Sequence, residues 1–360
     1  MGGSLLTERD KLLVFLSAFE LSIKKQESIL DSLEDFSVES VLRNSKLLNI
    51  LTTEEYHKLL ENYDKRILDS SIENMQKNGI EIVTIFSDNY PEKLRDLPDR
   101  PLILYAKGDL SLVNKKSVAI VGTRMPSNYG RVITERFTEK LAQSGLVVVS
   151  GLCYGIDEIA HKKTLAVGGK TIAVIGSGFS NIYPASNTSL AQEIAKRGLI
   201  LSEYPPSFKP KRYTFPRRNR IVAGLSDGVL IVEAGIKSGT IHTKEYALEY
   251  GKDIFAVPGN ITSPKSELTN DLIKTGQAEC VLSADEIIDF YGLKKSAKQQ
   301  AITLSFDEKA IVDALSDGEK DFDFLSRKTK IPVNILNSCL TTMEIRGLIR
   351  KLPGQSYALI

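Results

Sequence analysis

Cysteine and histidine are scarce in this 360-residue chain, which contains three of each. The cysteines are Cys153, Cys280 and Cys339. They lie far apart and are odd in number, which argues against a disulfide framework and against a zinc site. The histidines are equally scattered, so we expect no metal centre.

Long apolar runs are also absent, and the charge is nearly balanced. No segment approaches the ~20 consecutive apolar residues that span a bilayer. Hydrophobic residues make up 42% and charged residues 26% of the chain, which is typical of a soluble globular protein, and we expect a cytoplasmic location. Because the net charge is only +2, any affinity for nucleic acid must come from local clusters of basic residues.

Glycine and proline are missing from Ser4 to Asn78. Apolar residues recur there at helical spacing, and Thr7 and Thr52 have the pattern of helix N-caps, with Glu55 completing a capping box after Thr52. We predict a small helical, SAM-like domain over residues 1–78. A DNA-gripping helical hairpin normally turns on glycine, so we expect this domain to act as a scaffold.

Strands and helices alternate through residues 79–292, which we predict to form a second domain. Continuous valine and isoleucine runs between helices indicate strands buried on both faces. The fold class is therefore α/β, a doubly wound and mostly parallel sheet. Ligands bind to such sheets in crevices at the carboxyl ends of the strands.

A polar linker is predicted over residues 293–305, followed by a winged-helix domain over 306–360. Three helices and a hairpin turning at Pro353 and Gly354 give that pattern. The predicted third helix, from about Val333 to Ile345, carries neither lysine nor arginine. A helix that reads the major groove usually carries phosphate contacts, so this one is better suited to a protein partner.

Glycine-containing turns follow several of the predicted strands. Glycine lets backbone N–H groups approach an anion, although tight strand-to-helix turns need glycine in any case. None of the turns has the P-loop pattern or a complete dinucleotide fingerprint, which argues against ATP hydrolysis and NAD chemistry. The turns are Gly122-Thr123-Arg124, Gly151 to Gly155, Gly176-Ser177-Gly178 and Gly235 to Thr240, the last including Ser238 and Gly239.

The strongest local signal is the stretch from Tyr204 to Ser226, which is rich in lysine and arginine and has no acid. Arginines in the first turn of a helix oppose its dipole, and a bound polyanion would resolve that conflict. The alternative is a solvated charged face. Tyr213 and Phe215 lie among these charges, either to stack on unpaired bases or simply to pack. The basic residues are Lys209, Lys211, Arg212, Arg217, Arg218 and Arg220.

Catalytic patterns are poor. Ser150 lacks the glycines of a nucleophile elbow. Asp157 and His161 stand four residues apart on one predicted helix, where a structural contact is the simpler interpretation. Glu233 and Glu245 form the best carboxylate pair, which helix capping and salt bridging also explain. We therefore expect no catalytic residue, no metal and no cofactor.

These motifs resemble those of the DNA-processing protein A family, also called DprA/Smf. The resemblance covers about residues 104–280 in order. The resemblance implies an extended Rossmann-like sheet that binds single-stranded DNA. It also implies loading of the RecA recombinase in natural transformation and a homodimer formed through the Rossmann-like domain. The matching stretches include "AIVGTR", "SGLCYGIDEIAH", "LSEYPP", "FPRRNRIVAGLSDGVLIVEA" and "SGTIHTKEYALEYGKDIFAVPG".

By this resemblance Arg124, Arg217, Arg218 and Arg220 would line the DNA groove. Tyr154 stands where the family usually has arginine or lysine, and Leu268 where glycine is common. The full expected interface is Gly122, Thr123, Arg124, Gly151, Tyr154, Gly155, Lys211, Arg212, Phe215, Arg217, Arg218, Asn219, Arg220, Ser238, Gly239 and Thr240.

An enzymatic alternative comes from the similar fold of the phosphoribohydrolases that cleave the N-glycosidic bond of nucleotides. Their compact P-G-G-x-G-T-x-x-E signature is not matched here, because Glu245 lies five residues after Thr240. Release of free base from nucleoside monophosphates would distinguish this alternative from DNA binding.

Overall fold

Helices make up the glycine- and proline-free start of the chain, as predicted. The computed structural model describes residues 6–293 and 304–359. Thr7 caps the first helix in a capping box with Asp10, and Thr52 forms the predicted capping box with Glu55. The helices are α1 (Glu8–Ser17), α2 (Ile23–Asp31), α3 (Val38–Arg43), α4 (Thr53–Glu61) and α5 (Lys65–Lys77).

A mostly parallel sheet follows, which confirms the predicted fold class. Among the described residues it has nine strands, in the order β1-β2-β6-β5-β4-β3-β7-β8-β9. The pairs β1–β2 and β2–β6 are antiparallel and the others are parallel. The strands are β1 (Glu81–Thr84), β2 (Ile103–Gly108), β3 (Ser117–Val121), β4 (Val147–Ser150), β5 (Thr171–Ile175), β6 (Leu199–Ser202), β7 (Gly228–Ile231), β8 (Asp253–Ala256) and β9 (Glu279–Cys280).

Helices cover both faces of this sheet. They are α6 (Glu92–Arg95), α7 (Asn128–Gln143), α8 (Ile156–Ala166), α9 (Thr188–Arg197), α10 (Thr214–Leu225), α11 (Thr240–Glu249), α12 (Glu267–Lys274) and α13 (Ala284–Phe290). Short 3₁₀ turns span Ser45–Asn49, Leu110–Asn114, Phe179–Asn181, Ala185–Asn187 and Pro264–Ser266. Alternate residues of β3 enter different cores: Val118 and Ile120 pack with α7 and α13, whereas Ala119 and Val121 pack with α10 and α11. Burial on both faces explains the continuous apolar runs.

The order of the strands reverses beside β3. The chain runs from β3 through β4 and β5 to β6, then returns through α10 to β7 on the other side of β3. Loops leaving β3 and β7 therefore diverge to opposite faces of the sheet. Such a reversal opens a crevice at the carboxyl ends of the two strands.

The N-terminal helices share a hydrophobic core with the antiparallel strands. Leu12, Leu16 and Leu59 pack in one cluster with Ile82 of β1 and Tyr105 of β2. The predicted domain boundary at residue 78 falls in the turn between α5 and β1. Helices and sheet belong to one compact unit, Met1–Ser296.

The second unit, Ala297–Ile360, has the predicted winged-helix pattern. Apolar side chains such as Ile311, Leu325, Leu340 and Ile349 form its core. Most of the predicted linker, residues 294–303, lies outside the described residues. Among residues 6–293 and 304–359, no helix is both long and apolar enough to cross a membrane. The elements are α14 (Phe306–Leu315), β10 (Lys320–Asp321), α15 (Phe322–Thr329), α16 (Val333–Ile345), β11 (Ile349–Leu352) and β12 (Ser356–Leu359).

His161 of α8 makes stability depend on pH. Its ring is fully buried, and Nδ1 lies 2.7 Å from Oγ1 of Thr171. Burial, helped by the positive charge of Arg218, lowers the pKa of His161 to about 3. Below about pH 6.5 the unfolded chain binds a proton that the folded protein does not bind, so stability falls as the pH falls.

We expect the wild type to lose about 2 kcal/mol more unfolding free energy between pH 7 and pH 5 than His161→Gln does. Urea denaturation followed by circular dichroism measures this difference. The same substitution at His57, an exposed histidine of α4, is the matched control. Parallel pH profiles for the wild type and His161→Gln would show that His161 takes up its proton in the folded state.

Candidate nucleic-acid interface

A cavity of about 1150 Å³ lies at the carboxyl ends of β3, β4 and β7. Its walls are the loops that follow these strands and the first turns of α10 and α11. This is the place where the strand order reverses, so the topology itself creates the opening.

Three long helices begin at this cavity. They are α8, α10 and α11, whose N-cap residues are Gly155, Tyr213 and Gly239. In this described part of the chain, none of the three N-caps provides a side-chain hydrogen bond. The first N–H of α11 donates to Oγ of Ser238 and that of α8 to the carbonyl oxygen of Thr123. The dipoles of the three helices favour a negatively charged ligand here.

Basic side chains dominate the rim of the cavity. Among the described lining residues, the acids are Asp157, which is buried, and Glu267, which is exposed. Such a surplus of positive charge in a concave site attracts polyanions. The exposed or half-buried cationic residues of the wall are Arg124, Lys211, Arg212, Lys237 and Lys265.

Arg218 has a structural role that the sequence analysis did not anticipate. The residue is only 2% exposed. Its guanidinium donates to the carbonyl oxygens of Gly151 and Val174 and approaches Sγ of Cys153 at 3.4 Å. Because these donors bind main-chain carbonyl oxygens, the guanidinium helps to form the floor of the cavity. It is poorly placed to bind a phosphate.

Arg220 and Arg217 also depart from the prediction that three arginines form one groove wall. Arg220 is 2% exposed, pairs with Glu203, and lies 3.8 Å from a carboxylate oxygen of Asp99. Arg217 lies 3.4 Å from the same carboxylate of Glu203 and lines a separate hollow beside the N-terminal helices. The helix turns 100° per residue, so residues 217 and 220 lie on one face of α10 and residue 218 points in a different direction. Glu203 stands one residue before the acid-free stretch, which hid this pairing.

The predicted aromatic residues lie at the cavity or close to it. Phe215 is half-buried, with its ring 5.4 Å from that of Tyr183 and 5.9 Å from the guanidinium carbon of Arg124. Tyr213 is 47% exposed, and its hydroxyl donates to Glu20 of the helical region. Tyr154 is 44% exposed and lines a neighbouring hollow that shares Arg124 with the main cavity.

The glycines of the predicted loops differ in whether a side chain would fit at their positions. A Cβ atom at Gly151 would lie 2.5 Å from Nη2 of Arg218, and one at Gly122 would lie 2.7 Å from the carbonyl oxygen of Glu233. Gly155 has a φ of +79° and packs against the carbonyl oxygen of Thr123. These three glycines allow the chain to pack on itself. Only Gly239 of this group would place a Cβ in open space.

Buried Asp157 fixes the loop after β4. Its carboxylate accepts from the backbone N–H groups of Gly151 and Cys153, at 3.1 and 3.4 Å. Burial raises the pKa of Asp157, and the charge of Arg218 together with these N–H donors opposes that rise. Nδ1 of His161 bonds to Thr171. Among the described residues no hydrogen bond joins Asp157 to His161, so the suggested contact between them is not formed.

The two candidate catalytic carboxylates have separate structural partners. Glu233 is 2% exposed and accepts from the backbone N–H and the hydroxyl of Ser127, which caps α7. Glu245 lies on α11, where its exposed carboxylate is 3.4 Å from His242. Helix capping, part of the simpler interpretation, describes Glu233, and Glu245 has a histidine of its own helix as its neighbour.

The cavity residues that sequence reasoning missed include Tyr183, Lys237 and Lys265. Lys237 directly precedes the predicted Ser238. Lys265 lies in the 3₁₀ turn Pro264–Ser266, which reaches the cavity only through the tertiary fold. Tyr154, Gly155, Arg217 and Arg220 are not among the residues lining this cavity. The predicted residues that do line it are Gly122, Thr123, Arg124, Gly151, Lys211, Arg212, Phe215, Arg218, Asn219, Ser238, Gly239 and Thr240.

The fold and the cavity define an extended Rossmann-like protein with a cavity rimmed by basic residues at its strand-order reversal and a winged-helix unit after it. The family described as DNA recombination-mediator protein A matches residues 81–292, and the DprA winged helix domain matches residues 295–355. The chain belongs to the DNA-processing protein A (DprA/Smf) family.

Known relatives agree with this assignment. The chain is 42% identical over 215 residues to DNA processing protein DprA of Bacillus subtilis, covering 59% of this chain and 72% of the relative. The X-ray structure of DNA processing protein A from Streptococcus pneumoniae is 34% identical, with a TM-score of 0.69, covering 80% of this chain and 99% of that one. The Helicobacter pylori protein, whose structure concerns its single-stranded DNA binding mode, is 36% identical with a TM-score of 0.54, covering 59% and 95%.

The two kinds of glycine give a testable contrast in stability. We expect Gly151→Ala to lower the unfolding free energy by about 1–3 kcal/mol, because the new methyl group overlaps the buried guanidinium of Arg218. Gly239→Ala should stay within about 0.5 kcal/mol of wild type, since its φ is −60° and nothing lies within 4 Å of the added Cβ. Urea unfolding measures both variants, and equal stabilities would contradict the packing role of Gly151.

Proposed function

We propose that this protein binds single-stranded DNA in the cavity at the carboxyl ends of β3, β4 and β7. The observation that carries the proposal is the ring of cations around three helix N-termini, with the aromatic rings of Tyr183 and Phe215 beside it. Phosphates would meet the cations, and unpaired bases would stack on the rings. The binding mode described for the H. pylori relative supports this ligand.

The proposed role is that of a recombination mediator, which protects incoming DNA and loads the RecA recombinase onto it in natural transformation. Membership of the DprA/Smf family supports this role, and so does the description of the matching family as a recombination mediator. We further propose a cytoplasmic homodimer formed through the Rossmann-like domain. DNA binding of this kind needs no catalytic residue, which agrees with the structural engagement of Glu233 and the exposed pairing of Glu245.

The winged-helix unit is proposed to contact protein rather than DNA. Its helix α16 carries no basic residue between Val333 and Ile345. Val333 and Ile335 are 56% and 41% exposed on it. A helix with this surface lacks the phosphate contacts of a groove reader.

Arg124 provides the direct test of the DNA site. Arg124→Ala should weaken binding of a labelled oligo-dT strand, and the slope of log K against log salt should fall by about 0.7 because one phosphate contact is lost. Fluorescence anisotropy at several salt concentrations measures both quantities, with a duplex of equal length for comparison. Arg66→Ala, which removes the same charge from the exposed face of α5, is the control. Identical slopes for the two variants would remove Arg124 from the interface.

Tyr183 tests base stacking separately from charge. This side chain is 46% exposed at the cavity and is uncharged, so it forms no ion pair with a phosphate. Tyr183→Ala should weaken single-strand binding by about 1–3 kcal/mol while leaving the salt slope unchanged. Tyr129→Ala is the matched control, because Tyr129 is 45% exposed but lines a different hollow. Equal affinities of the two variants would exclude stacking on Tyr183.

A further inference from the structure

An acid from the N-terminal helices reaches the rim of the DNA cavity. Glu20 lies in the turn between α1 and α2. Its two carboxylate oxygens accept from the ammonium group of Lys211 and from the hydroxyl of Tyr213. Lys211 lines the cavity, and Tyr213 is the N-cap residue of α10. Two donors at the edge of the proposed interface are therefore already engaged within the protein.

The fold holds Glu20 in this position. The hydroxyl of Ser17, at the end of α1, lies 2.7 Å from that of Tyr105 in β2. Buried Gln26 donates from Nε2 to the carbonyl oxygen of Leu21 at 3.0 Å, which closes the turn. Leu21 itself is only 4% exposed. The turn that carries Glu20 is thus anchored to the sheet on one side and to α2 on the other.

The contacts of the Glu20 carboxylate are those that a phosphate could make in its place. A carboxylate presents two anionic oxygens to a cation and a hydroxyl, as a phosphate group does. The hydrogen bonds from Lys211 and then Tyr213 lower the pKa of Glu20, so the acid stays ionised and accepts both bonds. The side chains of Lys211 and Glu20 are 43% and 47% exposed, and an ion pair this accessible to water is weak enough to exchange.

We propose that Glu20 is an autoinhibitory competitor of DNA: it occupies Lys211 and Tyr213 in the free protein, and a phosphate of the bound strand displaces it. The inference rests on the proposed single-stranded DNA function and adds a device that regulates the same site. The N-terminal helices would then set the affinity of the cavity as well as stabilise the sheet.

Removal of the carboxylate charge tests this device. Glu20→Gln should raise the affinity for a labelled oligo-dT strand at low salt by roughly two- to five-fold. In a protein that already carries Lys211→Ala and Tyr213→Phe, adding Glu20→Gln should give no further gain in affinity. The two donors that Glu20 engages are absent from that background. Glu27→Gln is the control for net charge, since Glu27 belongs to the same helical region and pairs with Arg100 at 3.4 Å. Thermal melting of each variant verifies the fold.

Each outcome is decisive. An unchanged or lower affinity of Glu20→Gln would overturn the proposal, as would an equal gain in Glu27→Gln or a gain that persists without Lys211 and Tyr213. A wild-type protein with no salt-sensitive affinity for the single strand would instead contradict the proposed function itself. The two failures are therefore distinguishable in one titration series.

Discussion

The buried guanidinium of Arg218 is the interaction on which the shape of the cavity depends. From α10 it reaches the carbonyl oxygens of Gly151, after β4, and of Val174, in β5. Asp157 of α8 holds the N–H groups of the same loop from the other side. A buried charge that loses its partners destabilises a protein by several kcal/mol. Two strands and two helices are thus held together by the guanidinium of Arg218 and the carboxyl group of Asp157, and Gly151 is the residue small enough to lie between them.

This arrangement divides the basic residues into two groups. Arg218 and Arg220 are buried and maintain the frame, whereas Arg124, Arg212 and Lys237 are exposed on loops. The exposed group can change its hydration and its partners without loss of the fold. A buried frame with exposed cations above it suits a ligand such as a polynucleotide, whose phosphates are identical and whose bases vary.

Periodicity and local motifs were sufficient to predict the fold class. Buried strands read as continuous valine and isoleucine runs, and Thr52 with Glu55 marked a helix start that the structure confirms. The direction of individual arginines was not predictable in the same way. Arg220 has a structural role because it pairs with Glu203 and lies near Asp99. Glu203 lies just outside the basic stretch, and Asp99 is distant in sequence. Lys265 reaches the cavity from a loop after β8, and no local signal announces a contact that only the tertiary fold creates.

The helical region and the DNA cavity are connected through α10. Residues of α1 and α4 share a core with β1 and β2, and β2 pairs with β6. Directly after β6, Glu203 binds Arg217 and Arg220, while Glu20 binds Lys211 and Tyr213 at the start of the same helix. Two acids that line the same hollow therefore engage four donors of α10 and of the residues just before it. Because α10 also carries Arg218, the same helix contacts the helical region at its start and the cavity floor one turn further on.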